Sequence, residues 1–154
     1  MCKTAVKIGL LLFVAASIAA PLLRGTIRPH DAALTEIAPD QPDAVVVCYL
    51  RSNVRCAACR VLETCSRDVV KQQFAAEAVA GTIAWRAIDY QAPGNEHFVS
   101  DFQLPTGGLV LLEFRGGKLV RWKALLHAWN LTDDRKMLSS YLATSIREFR
   151  EEWR

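Results

Sequence analysis

Hydrophobic positions after residue 43 group into four short runs, residues 44–50, 82–88, 109–114 and 118–122. The first run is continuous and rich in valine, which is typical of a strand buried on both faces. The second alternates, with Ile83, Trp85 and Ala87 on one side. The last two flank Gly116 and Gly117, which accept the positive φ of a tight hairpin. We therefore predict four strands, the last two antiparallel.

Helical patterns lie between and after these runs. Residues 56–80 contain good helix formers and no glycine or proline, and Gly81 is placed to end a helix there. Asn95 is a candidate cap for a short helix through residue 102. Thr132, ahead of two aspartates, is the predicted N-cap of a long C-terminal helix. Its apolar face is formed by Met137, Leu138, Tyr141, Leu142, Ile146, Phe149 and Trp153.

The resulting order, βαβαββα, predicts an α/β three-layer sandwich, because right-handed crossovers place helices on both faces of the sheet. We assign residues 44–154 to this domain. Residues 26–43 carry Pro29, Pro39 and Pro42 among polar residues and are interpreted as a linker. Residues 1–25 form a separate N-terminal segment.

The N-terminal segment has the composition of a signal anchor or signal peptide. Residues 8–23 are uncharged, and they lie between Lys7 and Arg24. A transmembrane helix needs about 20 apolar residues and a secretory signal needs fewer, so this length falls between the two. Small residues at 17–19 offer a cleavage site, while the following Pro21 and leucines favour an uncleaved anchor. We expect a membrane-anchored or exported protein, with its domain on the extracytoplasmic side.

The charge distribution argues against nucleic-acid binding. The formal net charge is +3, and four cationic residues with no acidic residue fall within positions 1–28. The remainder is close to neutral, without the basic surface that phosphate neutralisation requires. We predict no nucleic-acid partner.

The candidate chemical centre is Cys56-Ala57-Ala58-Cys59, which follows a buried strand and opens a helix. Free N–H groups and the positive end of a helix stabilise a thiolate, the attacking species in disulfide exchange. Arg55 and Arg60 flank the pair and favour the thiolate further. Cys56, at the helix start, is the predicted nucleophile, and Cys59, one turn inward, is the predicted resolving cysteine.

The other cysteines are predicted to be structural. Cys59, Leu62, Cys65 and Val69 share one helix face, and Cys65 projects away from Cys56. We interpret Cys65 and Cys48 as core thiols. A zinc site at the dithiol would need two more ligands, and the histidines at 30, 97 and 127 show no motif spacing. We predict no metal and no cofactor.

The strand, the dithiol and the following helix resemble the thioredoxin-like superfamily over about residues 44–153. The sequence departs from that family in having no tryptophan before Cys56 and an Ala-Ala pair between the cysteines. The resemblance implies a cis-proline facing the dithiol, near Leu109 when counted back from the hairpin, whereas Leu104-Pro105-Thr106 comes earlier. A Gly107-Gly108 insertion or absence of the cis-proline would account for this.

The chain more closely resembles a bacterial family, the nitrophenyl-compound nitroreductase subunit (ArsF-type) family, found with aromatic arsenical transport genes. The matching pieces are Tyr49 to Arg60, Ile88-Asp89, Pro93, Asn95, His97, Phe98, Lys123-Ala124-Leu125 and Trp129-Asn130-Leu131. These residues cover most of the predicted domain, and none of them indicates a flavin site.

Two functional expectations follow. The first is a membrane-associated thiol–disulfide oxidoreductase or redox-relay subunit, which uses Cys56 and Cys59 on a protein thiol or disulfide partner. The alternative is a non-catalytic thioredoxin-like subunit of the nitroreductase or arsenical-handling type. In that alternative the dithiol is structural or binds a soft metalloid, such as trivalent arsenic, and a partner protein does the chemistry.

Overall fold

The structure, a computed structural model, describes residues 36–152. The predictions for residues 1–25, for the beginning of the linker and for Trp153 lie outside this range. Within the range, no helix combines the length and the hydropathy needed to cross a membrane.

The described residues form a mixed α/β fold around a four-stranded sheet. Its elements are β1 (Ala44–Arg51), α1 (Ala57–Gln73), α2 (Ala75–Val79), β2 (Ile83–Asp89), α3 (His97–Asp101), β3 (Gly108–Arg115), β4 (Lys118–Ala124), a 3-10 helix (Leu126–Leu131) and α4 (Arg135–Glu151). The strand order is β2-β1-β3-β4. β1 pairs parallel with β2 and antiparallel with β3, and β3 pairs antiparallel with β4.

Strand β1 is central and divides the hydrophobic core into two clusters, because successive side chains of a strand point to opposite faces. Val45, Val47 and Tyr49 lie in the cluster that includes the buried faces of α1 and α4. Val46 and Cys48 lie in the other, with side chains from α3 and its flanks. Both faces of the sheet are therefore covered. This burial on both faces explains why the apolar run of β1 is continuous.

Residues 36–43, the described part of the predicted linker, pack on the domain. Ile37 is fully buried in the second cluster. The side chain of Asn95 donates a hydrogen bond to Glu36 at 3.1 Å. Gly116 N donates to the carboxylate of Asp43 at 2.7 Å, at the β3–β4 turn. This segment therefore contributes a core side chain and polar contacts to the sheet.

The single helix predicted over residues 56–80 is wrong at Phe74, which separates α1 from α2. Its backbone leaves the helical region, with φ −129° and ψ 34°. The ring is buried in the cluster beneath α1 and α4, and the Arg147 guanidinium lies 5.6 Å from its centroid. A break at this residue keeps a large aromatic side chain in the core. The predicted end of the helical segment before Gly81, at φ 74°, is confirmed.

The N-cap prediction for the C-terminal helix was wrong by two residues. Asp134 is the cap, and its carboxylate accepts hydrogen bonds from the N–H groups of Lys136 and Met137, each at 3.0 Å. The Thr132 hydroxyl donates instead to the carbonyl of Trp129 at 3.1 Å. Thr132 is held there because the unpredicted 3-10 helix precedes it.

Asn95 does not cap α3 as predicted. The helix begins at His97, and the Asn95 amide donates to the Asp89 carbonyl as well as to Glu36, which ties the end of β2 to the packed segment.

The predicted apolar face of α4 is confirmed at Leu138, Leu142, Ile146 and Phe149, which are buried. Met137 is an exception and is 57% exposed. It lies one residue from Leu138, about 100° around the helix from the buried stripe.

Candidate redox site

The structure brings the two predicted site residues together as a disulfide. The Cα atoms of Cys56 and Cys59 are 5.0 Å apart, and their sulfur atoms are bonded. Cys56 is exposed and Cys59 is half-buried. The pair therefore has one sulfur that faces solvent and one that lies one turn inward along α1.

Cys56 is also the N-cap of α1. Its backbone is extended, with φ −79° and ψ 166°, and its Sγ accepts a hydrogen bond from the N–H of Cys59 at 3.0 Å. The first N–H groups of a helix have no partner within the helix, and an electron-rich cap atom satisfies one of them. A thiolate at this position would accept the same hydrogen bond more strongly and would sit at the positive end of the helix.

Two hydrogen bonds fix the loop between β1 and Cys56. The hydroxyl of Ser52 donates to the carbonyl of Val54 at 3.2 Å. The N–H of Asn53 donates to the side-chain oxygen of Gln91 at 2.8 Å, which ties this loop to the one that follows β2. Arg55 is exposed beside the disulfide. The disulfide is thus presented by a loop with defined anchors.

A cavity of about 310 Å³ opens next to the disulfide. Side chains from β1, from the loops after β1 and β2, from the segment before β3 and from the 3-10 helix line it. The lining residues are Tyr49, Leu50, Ser52, Val54, Cys56, Cys59, Tyr90, Gln91, Thr106, Gly107 and Trp129. Both cysteines therefore face a concave surface that combines aromatic and polar groups.

A hydrogen bond and close packing connect the residues on the far wall of the cavity. The indole N–H of Trp129 donates to the carbonyl of Gly107 at 3.2 Å. A Cβ at position 107 would collide with the carbonyl oxygen of Leu50 and would lie 2.7 Å from Cε1 of Tyr90, so this position has room only for glycine. Gly107 therefore lies between the 3-10 helix, through Trp129, and the loop after β2, through Tyr90.

Tyr49 lies at the carboxyl end of β1 and is only 3% exposed. Its side chain belongs to the cluster between the sheet and α1. Burial raises the pKa of the Tyr49 phenol to about 12, with a further contribution from the Glu63 carboxylate, against the lowering influence of Arg55. The phenol therefore keeps its proton throughout the neutral range.

The two remaining described cysteines are buried and free, which confirms their prediction as core residues. Burial raises the pKa of the Cys48 thiol to about 12, and the Glu36 carboxylate adds to this. Burial also raises the pKa of Cys65, whose Sγ lies 3.8 Å from the carbonyl oxygen of Arg135. They occupy opposite faces of the sheet, so neither joins the other as a second dithiol.

No group of three or more histidine, cysteine or acidic side chains is arranged to hold a metal ion within residues 36–152. Nδ1 of His97 lies 2.6 Å from the carboxylate of Asp101, one turn along α3. The ring of His127 contacts that of Tyr141 edge-on at 5.5 Å. His30 lies outside the described residues.

All peptide bonds of the described residues are trans, including the one before Pro105. Thr106 and Gly107, which follow Pro105, line the cavity beside the disulfide.

Comparison with known proteins adds no relative: no protein-family model, no curated protein and no solved structure matches the chain. The resemblance to thioredoxin-like proteins stays a prediction from the residues themselves.

Sequence reasoning identified the two cysteines and missed most of the cavity around them. Tyr49 is hidden inside the apolar run of β1, and Tyr90 follows β2 without a motif. Gly107, which directly precedes β3, gave a usable signal, because paired glycines before a strand often mark a close backbone approach.

Proposed function

We propose that this chain is a thiol–disulfide oxidoreductase or redox-relay subunit that exchanges its Cys56–Cys59 disulfide with a protein partner. One observation carries the proposal. An exposed sulfur caps a helix that follows a buried strand, is bonded to a half-buried sulfur one turn along, and opens onto a cavity.

The exchange consists of two thiolate attacks. A partner thiolate attacks Sγ of Cys56, the Cys56–Cys59 bond breaks, and Cys59 leaves as a thiolate that takes up a proton. The mixed disulfide joins Cys56 to the first cysteine of the partner. A second thiolate of the partner then attacks the sulfur of that first cysteine, and Cys56 leaves as a thiolate. Two electrons pass from the partner to this chain, and the partner gains a disulfide. The reverse sequence oxidises this chain.

The surroundings of Cys56 favour the reduced, thiolate form. The N–H of Cys59 already points at Sγ of Cys56, and the positive end of α1 lies behind it. Arg55 and Arg60 add positive charge beside the pair. A stabilised thiolate is a better leaving group and makes the couple more oxidising. We therefore expect the Cys56–Cys59 disulfide to accept electrons more readily than the disulfide of an unstructured peptide with the same motif.

The wider fold supports a thioredoxin-like three-layer sandwich. The strand order β2-β1-β3-β4, with β1 parallel to β2 and the dithiol at the start of the helix after β1, is consistent with that family. The more specific resemblance to the ArsF-type family extends this proposal to a subunit that works beside a partner protein. The apolar residues 8–23 support attachment to, or export across, a membrane, with the domain on the extracytoplasmic side.

The test is disulfide exchange by the full chain, measured as insulin reduction in the presence of dithiothreitol. We expect Cys56→Ser and Cys59→Ser to abolish exchange, because each removes one partner of the disulfide. The matched control is Cys65→Ser, which changes a buried thiol on the same helix and should retain activity within about twofold. Alkylation and mass mapping before and after reduction should label Cys56 and Cys59 selectively.

Two results would contradict this assignment. Equal loss of activity in Cys56→Ser and Cys65→Ser would mean that the effect is structural or that the thiols act as a group. A wild-type chain that exchanges with no disulfide substrate, while its reduced form binds arsenite through the same pair, would support the non-catalytic alternative instead.

A further inference from the structure

We infer that the hydroxyl of Tyr49 donates a hydrogen bond to the sulfur of Cys59 when Cys59 leaves as a thiolate. This inference rests on the proposed function, and it assigns to a residue of the cavity the task of stabilising the leaving group. The covalent step is the first one above: the sulfur–sulfur bond breaks, and its electron pair goes to Cys59.

The position of Tyr49 follows from the sheet. Tyr49 is at the carboxyl end of β1, the end at which the chain turns into α1. Its side chain points to the face of the sheet that α1 covers, and it lines the same cavity as Cys59. Cys59 begins the stripe of α1 that continues inward through Leu62 and Cys65. Tyr49 and the inner sulfur therefore share one cavity, on the face of the sheet that α1 covers.

Several other donors of the cavity are already engaged. The Ser52 hydroxyl donates to the carbonyl of Val54, and the Trp129 indole N–H donates to the carbonyl of Gly107. The Cys59 N–H is directed at Cys56, the other sulfur of the pair. The Tyr90 ring packs against Gly107 on the far wall. Tyr49 is the donor that combines deep burial with the correct face of the sheet.

The electrostatic surroundings keep the phenol in its donor form. Its pKa is raised to about 12 by burial, with Glu63 on α1 and Tyr90 after β2 acting in the same direction. Arg55 in the loop and Arg51 on β1 oppose the shift. A phenol that stays protonated can donate a hydrogen bond to a thiolate at every pH at which exchange proceeds, and a bond to a charged acceptor is a strong one.

The experiment compares Tyr49→Phe with the matched control Tyr141→Phe in the full chain, since Tyr141 lies on α4 and does not line the cavity. Both changes remove one hydroxyl and keep the ring. We expect Tyr49→Phe to slow reduction of the Cys56–Cys59 disulfide by dithiothreitol about tenfold, in line with loss of a hydrogen bond to a charged group. Tyr141→Phe should stay within about twofold of wild type. Circular dichroism would check that both variants fold.

A second readout separates a chemical role from a structural one. In a Cys56→Ser background, the pH dependence of alkylation at Cys59, followed by mass mapping, reports the pKa of that thiol. Tyr49→Phe should raise this pKa by about one unit, which is a tenfold change in equilibrium constant. Tyr141→Phe should leave it unchanged.

The inference is overturned if Tyr49→Phe leaves both the reduction rate and the Cys59 titration unchanged, or if both tyrosine variants slow reduction equally. Failure of the proposed function would look different. The wild type would then show no exchange with protein disulfides, while the effect of Tyr49→Phe on the small-thiol reaction would persist.

Discussion

Cys48 and Cys56 carry the same side chain eight residues apart and differ in almost every property that matters for a thiol. Cys48 is fully buried in β1, where the loss of hydration opposes ionisation and holds its pKa near 12. Cys56 is exposed, and its sulfur accepts a backbone hydrogen bond at a helix start. The local surroundings, more than the number of cysteines, therefore select where thiol chemistry can occur.

Because the thiol of Cys48 is buried, we predict that the free energy of unfolding decreases at alkaline pH. Its pKa rises from 9.0 in the unfolded chain to about 12 in the folded one. Between these values the folded state binds more protons than the unfolded state, so the free energy of unfolding falls as the pH rises. The contribution is complete below pH 9 and decreases by at most about 1.4 kcal/mol per pH unit above it.

Urea unfolding at pH 7, 9 and 10.5 would measure this effect in the wild type and in Cys48→Ala. The variant should be less stable at pH 7, because it loses buried volume, and the gap should narrow as the pH rises. A gap that stays constant with pH would show that Cys48 does not titrate with unfolding.

At the residue scale, only part of the site could be predicted. Cys56 and Cys59 could be recognised because the motif is local in sequence and its flanks indicated a strand and a helix. Tyr49, Trp129 and Gly107 could not, because their roles depend on which distant segments meet at one end of the sheet. The pattern of hydrophobic and polar residues along the sequence carries little information about which distant segments come together in the fold.

Among the elements, the four strands and the α-helices followed from the sequence pattern, while the 3-10 helix, the caps of α3 and α4 and the break at Phe74 did not. The sequence Thr132-Asp133-Asp134 offers three side chains that can each cap a helix. The choice is made by the preceding 3-10 helix, which engages Thr132 with the carbonyl of Trp129. The break at Phe74 was likewise unpredictable, because it reflects tertiary burial of the ring.

The capping contact of α4 can be tested by comparing Asp134→Ala with Thr132→Ala. Asp134→Ala should cost about 1 kcal/mol of unfolding free energy, because two first-turn N–H groups lose their acceptor. It should also speed hydrogen exchange at the amides of Lys136 and Met137. Thr132→Ala should leave the exchange of these two amides unchanged, and acceleration by Thr132→Ala alone would restore Thr132 as the cap.

On the scale of the whole domain, the order of strands and helices predicted a sheet with helices packed on both faces. It did not predict every segment that covers the second face. The second face is closed partly by Ile37, which lies in a proline-containing segment with no sustained period. Its neighbours Glu36 and Asp40 connect to Asn95 and Arg86 on the same domain. Isolated apolar residues among prolines carry no signal that distinguishes a packed segment from a linker.

Ile37→Ala should therefore destabilise the domain as a core substitution does. We expect a loss of about 2–4 kcal/mol in urea unfolding, because a fully buried side chain is removed from the second cluster. Val79→Ala is the matched control, since Val79 is 91% exposed, and it should change stability by less than about 0.5 kcal/mol. Equal effects of the two substitutions would show that residue 37 does not belong to the core.

The hydrogen bond from the N–H of Cys59 to the sulfur of Cys56 has a consequence for the energy barrier of the proposed disulfide exchange. The same backbone donor serves the sulfur in the disulfide and would serve it in the thiolate, so the first turn of α1 need not unwind when the oxidation state changes. Reduction would then break the sulfur–sulfur bond and leave negative charge on the exposed sulfur of Cys56, while the backbone of the first turn stays in place. A partner would distinguish the two forms by electrostatics at Cys56, with little change in the shape of the surface that it meets.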